Sequence, residues 1–326
     1  MMTNTSTDHA PTPAGPSSSG ASVLRPLAYH RLLLSPAQGT RWWRPLAVVG
    51  ATVGLYLAFV LPLLILTVVA MEGTFGDRWI PTPELSDPSN PADMVVGLGM
   101  IALMVPAAAL GMRWAGRAPG ILHSVRRRVR WELLLRAGVV LLPLYALVNT
   151  AQFLVAPPAD LAWPTVNAHT LLLYVLFVLL VPLQCAGEEY VFRGLPLQVF
   201  GTWLRSPLWG ILIPVPFFVL AHGYDWVGQM DIAVFAVCLG ALTWKSGGLE
   251  CAIVLHTANN LTLFLLTTFS ASSTLEQGAV DPMLLLISLP VTLGSTAWLW
   301  WWVSRRYGVR ALEPVVEVAR RGAACA

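Results

Sequence analysis

LAVVGATVGLYLAFVLPLLILTVVAM, residues 46–71, runs from Leu46 to Met71 without one charged side chain. A helix rises about 1.5 Å per residue and needs about 20 apolar residues to cross a hydrocarbon layer of about 30 Å. This stretch has residues to spare. It shows none of the two-residue alternation of a barrel strand, and a backbone in lipid must satisfy its own N–H and C=O groups, so it reads as a membrane-spanning helix. Working outward, further apolar stretches follow at 94–112, 137–156, 169–187, 208–222, 230–244, 249–268 and 284–303, of which 208–222 and 230–244 are short for a full crossing. The expected fold is all-α, a polytopic transmembrane helical bundle of about eight spans, with six as the fallback count.

Composition agrees, because 56% hydrophobic against 11% charged residues leaves too little polar surface to cover a soluble chain. The formal charge of +3 comes from 20 basic and 17 acidic residues and gives no nucleic-acid signal. Cysteines 185, 238, 251 and 325 form no CxxC pair and imply no disulfide framework. Basic residues collect in alternate connections: Arg25, Arg31, Arg41 and Arg44; then seven arginines between Arg113 and Arg136; then Arg193 and Arg205, Lys245, and Arg305, Arg306 and Arg310. Acidic residues dominate the intervening connections. The positive-inside effect therefore puts both termini in the cytoplasm of a cell, with the inner (cytoplasmic) membrane as the expected location.

The expected organisation is a basic, disordered N-terminal tail over 1–44, helices over 45–164 with a basic amphipathic loop at 113–136, a core over 165–270, a last span within 271–303 and a cytoplasmic tail over 304–326. The first 24 residues are low in complexity and carry no secretory signal. The loop at 113–136 mixes arginines with Ile121, Leu122, Val125, Val129 and Trp131, as an interfacial helix on an anionic lipid surface would. Arginine in preference to lysine, with abundant alanine, suggests a bacterial source.

Ionisable groups at membrane depth are expensive, and each is a functional candidate. They fall in three groups: Glu188-Glu189-Tyr190-Val191-Phe192-Arg193, Phe218 to His222, and His256 to Asn260. Residues four apart share a helix face, so Glu189 can pair with Arg193, whereas Glu188 points about 100° away and is left without that partner. Glu188 then suits the task of a base. His256 and Asn260 project to one side of one helix, and His222 ends the fifth span where it could face them. A carboxylate, two imidazoles and a carboxamide can activate water and stabilise an oxyanion, which is what amide hydrolysis needs.

The ordered set EExxxR, FxxxH and HxxxN resembles the CPBP family of intramembrane proteases, also called the ABI or CAAX-protease family, which includes the type II CAAX prenyl endopeptidases and bacteriocin-processing or immunity proteins. The resemblance covers about residues 165–270. It implies that Glu188 activates water, that His222 assists, that His256 and Asn260 stabilise the oxyanion, and that Glu189 and Arg193 hold the site together. It also raises a metal, since Glu188, His222 and His256 are zinc-type donors. They lack an HExxH signature, so a divalent metal such as zinc and a bare glutamate-activated water both stay open, with the lean toward no obligatory metal. The expected function is an intramembrane endopeptidase acting on a membrane-anchored peptide or protein, with membrane lipids as its other partners. The alternatives are a non-enzymatic membrane partner of the immunity type, or a proton-coupled transporter. The transporter is disfavoured because the apolar pattern shows no internal repeat.

Overall fold

The computed structural model describes residues 26–34, 41–72, 80–85, 87–155, 157–270 and 278–317. The stretch 1–24 expected to be disordered, together with Arg25 and Cys325, lies outside them. Among the described residues, all regular structure is helical, and the extended pairing is limited to two isolated bridges.

A short 3-10 helix at Tyr29–Leu34 precedes α1 (Arg44–Glu72). α2 (Pro91–Ala102) starts where the Asn90 side chain accepts from Ala92 N–H at 2.9 Å. It gives way to α3 (Met104–Trp114) at Leu103, because the ring of Pro106 clashes with the carbonyl four residues back. After the four-residue α4 (Gly120–His123) comes α5 (Trp131–Val155). α6 (Ala168–Glu189), capped by Asn167, runs through a π turn (Tyr190–Gly194) into α7 (Leu195–Trp203). Pro196 explains the turn: it has no N–H for the carbonyl of Phe192, so the helix widens there. α8 (Leu208–Leu212) and α9 (Pro214–Leu220) are separated at Ile213 by Pro214 and Pro216. α10 (Trp226–Ser246) begins with Asp225 accepting from Gly228 N–H and ends at Gly247, whose φ of 69° is the left-handed conformation glycine supplies freely. α11 (Glu250–Leu266) and α12 (Leu285–Tyr307) complete the bundle.

Among the described residues seven helical runs are long and apolar enough to cross a membrane, and the chain is a multi-pass membrane protein. The short expected stretch 230–244 sits inside the 21-residue α10, which is long enough to cross, whereas 208–222 is the broken α8–α9 pair. That pair still carries the chain across the bundle. Arg205 receives a bond from His30 Nε2 at 3.1 Å, beside the end of α10 where Val125 N–H donates to Gly247 O and Leu249 N–H to His123 O. Asp225 opens α10 at its opposite end, where its N–H donates to Gly278 O. Residues 206–224 therefore traverse the bundle. Accordingly both ends of the described chain meet at one end of it: Ala28 bridges Val316, and Glu317 N–H donates to Leu27 O at 2.9 Å.

The amphipathic stretch 113–136 does not form a continuous helix. Gly116 and Arg127 take positive φ values of 73° and 57°, Pro119 intervenes, and the segment 124–130 is tied down by its polar groups. Arg130, 6% exposed, grips Glu250 through two side-chain bonds of 3.0 and 2.6 Å and also donates to Ser246 O. Lys245, which the charge pattern treats as a cytoplasmic marker, is fully buried and donates to the carbonyls of Arg310, Ala311 and Glu313. Burial differs across the bundle: 44% of the apolar window is buried in α10 and in α11, against 17% in α1 and α12, so α10 and α11 form its centre.

Candidate functional site

The three sequence groups lie on α6 with its π turn, on α9, and on α11. Gly187 lets α6 approach α2 closely, since a Cβ there would drive into the carbonyl of Ile101. The next residues, Glu188 and Glu189, are 8% and 0% exposed. Glu189 is the structural hub. Its Oε1 accepts from His256 Nδ1 at 2.8 Å and stands 3.1 Å from Arg193 Nη1. The ion pair with Arg193 follows from helical spacing; the bond to His256 joins α6 to α11 and had no local signal in the sequence. Arg193 is 2% exposed, neither of its Nη atoms has a hydrogen-bond acceptor, and its guanidinium lies 4.1 Å from the ring centre of Phe218.

The hydrogen-bond chain assigns the protons. Asn259 Nδ2 donates to Asn260 Oδ1 at 3.1 Å, which turns Asn260 Nδ2 toward His256 Nε2, 3.2 Å away. A carboxylate only accepts, so His256 carries its proton on Nδ1 toward Glu189 and presents a lone pair at Nε2. Glu188 Oε2 lies 3.5 Å from that same Nε2 and is buried without a hydrogen-bond partner. Glu189 Oε2 is similarly unpartnered. Buried polar atoms are nearly always satisfied, so this group of unpaired acceptors and donors marks a place that water or a polar ligand completes.

His222 is half-buried at the end of α9. Its Nδ1–H donates to Phe218 O at 2.8 Å, leaving a lone pair on Nε2. Among the described residues no hydrogen bond or ion pair joins it to Glu188 or His256. The ring of Phe218 stands between, 4.9 Å from the His222 ring centre and 6.3 Å from that of His256. The structure brings Glu188, Glu189, Arg193, His256 and Asn260 into one cluster and leaves His222 at its rim, where the sequence reading expected it to face them. That reading did not anticipate Phe218 as the partition or Phe235, which meets His256 edge-on at 5.4 Å. Among the described residues no group of three or more His, Cys, Asp or Glu side chains is arranged to hold a metal ion. Of the donors considered for zinc, Glu188 and His256 are 3.5 Å apart, and the ring of Phe218 separates them from His222.

A helical membrane bundle with a buried Glu–Glu–Arg–His–Asn cluster on its central helices is the setting in which the comparisons with known proteins fall. Residues 167–262 match the family model described as Rce1-like, type II CAAX prenyl endopeptidase. The match runs from the cap of α6 to Thr262 on α11, takes in all three motifs, and supports a protease. The chain is also similar, at 24% identity over 249 residues, to the uncharacterized protein YyaK of Bacillus subtilis (strain 168), covering 72% of this chain and 81% of that protein. No solved structure matches.

Proposed function

We propose that this protein is an intramembrane endopeptidase that hydrolyses a peptide bond of a membrane-anchored peptide or protein at the cytoplasmic side of a bacterial cell membrane, with both of its own termini in the cytoplasm. The observation that carries this reading is the buried, unpartnered Glu188 Oε2 beside His256 Nε2. A water between them loses a proton to the Glu188 carboxylate as its oxygen attacks the substrate carbonyl carbon. The resulting oxyanion is met by Asn260 Nδ2–H and by His256 when Nε2 is protonated. His222 Nε2 holds the water only once the ring of Phe218 turns aside. Glu188 then returns its proton to the departing amine as the C–N bond breaks, which leaves a carboxylate product and restores the enzyme. Glu189 and Arg193 act as positioning residues, fixing the His256 tautomer and joining the two helices. No step in this scheme is routed through a metal.

The test uses protein in nanodiscs with a library of membrane-anchored peptides, with and without a chelator. Wild type should cleave irrespective of chelation. Glu188→Gln should lose turnover by about 10²-fold or more while still binding the peptide, and His256→Ala should also lose it. Activity lost to a chelator and restored by zinc would replace the glutamate-only mechanism, and absence of any cleavage by wild type would move the reading to a non-enzymatic membrane partner.

A further inference from the structure

Residues 120–130, read from the sequence as part of a lipid-surface helix, brace the two helices that carry the peptidase-like cluster. On one side they hold the run of α6 and α7. Gln198 Nε2 on α7 donates to Ile121 O at 3.2 Å, and the hydroxyl of Tyr190, the first residue of the π turn, is hydrogen-bonded to His123 Nδ1. The two rings meet edge-on with centres 5.5 Å apart, and Tyr190 is buried. On the other side they hold the start of α11. His123 O accepts from Leu249 N–H at 3.0 Å, Gly247 O accepts from Val125 N–H at 2.8 Å, and Arg130 grips Glu250. His123 therefore reaches both helices at once, one with its ring and the other with its carbonyl.

The joint lies one residue from the cluster. Tyr190 directly follows Glu188 and Glu189, and its carbonyl accepts from Leu195 N–H five residues on, the bond that widens the helix into a π turn. Pro196 calls for a widened turn but leaves open at which residue it begins. Successive helical side chains point about 100° apart. A turn that slid one or two residues toward the start of α6 would therefore swing Glu189 off His256 Nδ1 and Glu188 away from Nε2 of the same imidazole. The bond to His123 opposes that slide, because it fixes the side chain of the residue whose carbonyl starts the turn. At the other helix, Leu249 precedes His256 by seven residues, about two helical turns, so the same His123 sets the height of the imidazole from about 10 Å away.

We infer that His123 and Tyr190 are positioning residues for the peptidase-like cluster: their hydrogen bond pins the π turn in the register that sets Glu188 and Glu189 against His256. Neither touches the reacting atoms. The effect on turnover rests on the hydrolytic reading proposed above, whereas the register of the turn does not.

The pin is tested with the full chain in nanodiscs by two readouts, amide hydrogen exchange followed by mass spectrometry, and kcat and KM on a membrane-anchored peptide. Tyr190→Phe keeps the ring and removes the hydroxyl; His123→Leu removes the ring nitrogens; His123→Asn returns an amide close to where Nδ1 stood. The backbone bond to Leu249 survives all three. In Tyr190→Phe and His123→Leu, exchange across residues 186–196 should quicken about tenfold, the effect of one lost buried hydrogen bond, while α1 stays as in wild type. Their kcat should fall about 10- to 100-fold with KM unchanged, the cost of a small misplacement of catalytic groups. His123→Asn should recover most of both, and the double variant of Tyr190→Phe with His123→Leu should lose no more than either single one. Should His123→Leu fail to fold, Tyr190→Phe still decides. Wild-type exchange across the turn in the single variants, equal loosening of α1, additive losses in the double variant, or a loosened turn with undiminished kcat would each overturn the inference. If wild type cleaves no peptide, the hydrolytic reading falls and the exchange data alone decide the register.

Discussion

Replacing Glu189 by Gln separates the roles of two adjacent carboxylates. Glu189 Oε1 accepts from His256 Nδ1 at 2.8 Å and lies 3.1 Å from Arg193 Nη1, in a position without solvent exposure. Glutamine keeps the shape and one acceptor oxygen but removes the charge. Arg193 is then a buried cation whose one close ion pair is gone, a situation that costs about 3–5 kcal/mol in soluble proteins. The amide can also turn its nitrogen toward His256 and so stops enforcing the Nδ1–H tautomer. Loss of an outer partner that orients a functional imidazole lowers activity about 10- to 100-fold. The expected result is a kcat reduced by that factor, an unchanged KM, and a lower unfolding temperature in detergent. Glu188→Gln, by contrast, should reduce kcat further while leaving stability nearly intact, because Oε2 of Glu188 has no partner to lose. The assay is single-turnover cleavage of a membrane-anchored peptide alongside a thermal melt of each variant. If Glu189→Gln proved the more damaging to kcat, with Glu188→Gln mild, the assignment of base and support would have to be exchanged. A Glu189→Gln variant equal to wild type in both readouts would refute the hub.

Other consequences can be checked separately. Glu250→Gln leaves Arg130 buried without its two charged bonds and should cost about 3–5 kcal/mol, read as a lower unfolding temperature, with a larger loss than Glu132→Gln, whose ion pairs with Arg136 and Arg306 are exposed. Burial pulls the imidazole pKa values of His30 and His123 below the ordinary histidine value. The unfolded chain therefore binds more protons, so stability should be full above about pH 6.5 and decline as the pH falls below it. Replacing both histidines with glutamine should flatten that decline, measured as unfolding temperature against pH; a decline of unchanged steepness would argue against the assignment.

The sequence was most informative where one residue pattern decides one element. Apolar runs reveal helices because lipid leaves the backbone no other choice, and the spacing of Glu189 and Arg193 reveals their pairing because both sit on one helix. Contacts between elements were harder to read. The bond from His256 to Glu189 spans α11 and α6, and nothing local at either residue announces it. Arginine-rich 113–136 has the composition of a surface helix, but left-handed backbone at Gly116 and Arg127 and the grip of Arg130 on Glu250 turn it into an irregular, partly buried connection. The partners of Lys245 were equally hidden: a charge counted as a marker of sidedness is spent internally on three carbonyls. The stretch 208–222 looked short because it has only 15 residues, and Pro214 and Pro216 further break it into α8 and α9, although the chain does pass from one end of the bundle to the other there.

That same Lys245 joins the first described residues to the last. Its carbonyl partners at 310–313 lead directly into Val316, which pairs with Ala28. A ribosome releases Ala28 before any of α1–α12 and Val316 only after all of them. Until then, the lysine ammonium has none of its three carbonyls, and Leu27 and Ala28 have no chain to pair with. The nascent chain therefore inserts its helices one by one but completes their shared end as a single late event, after α12 has been made.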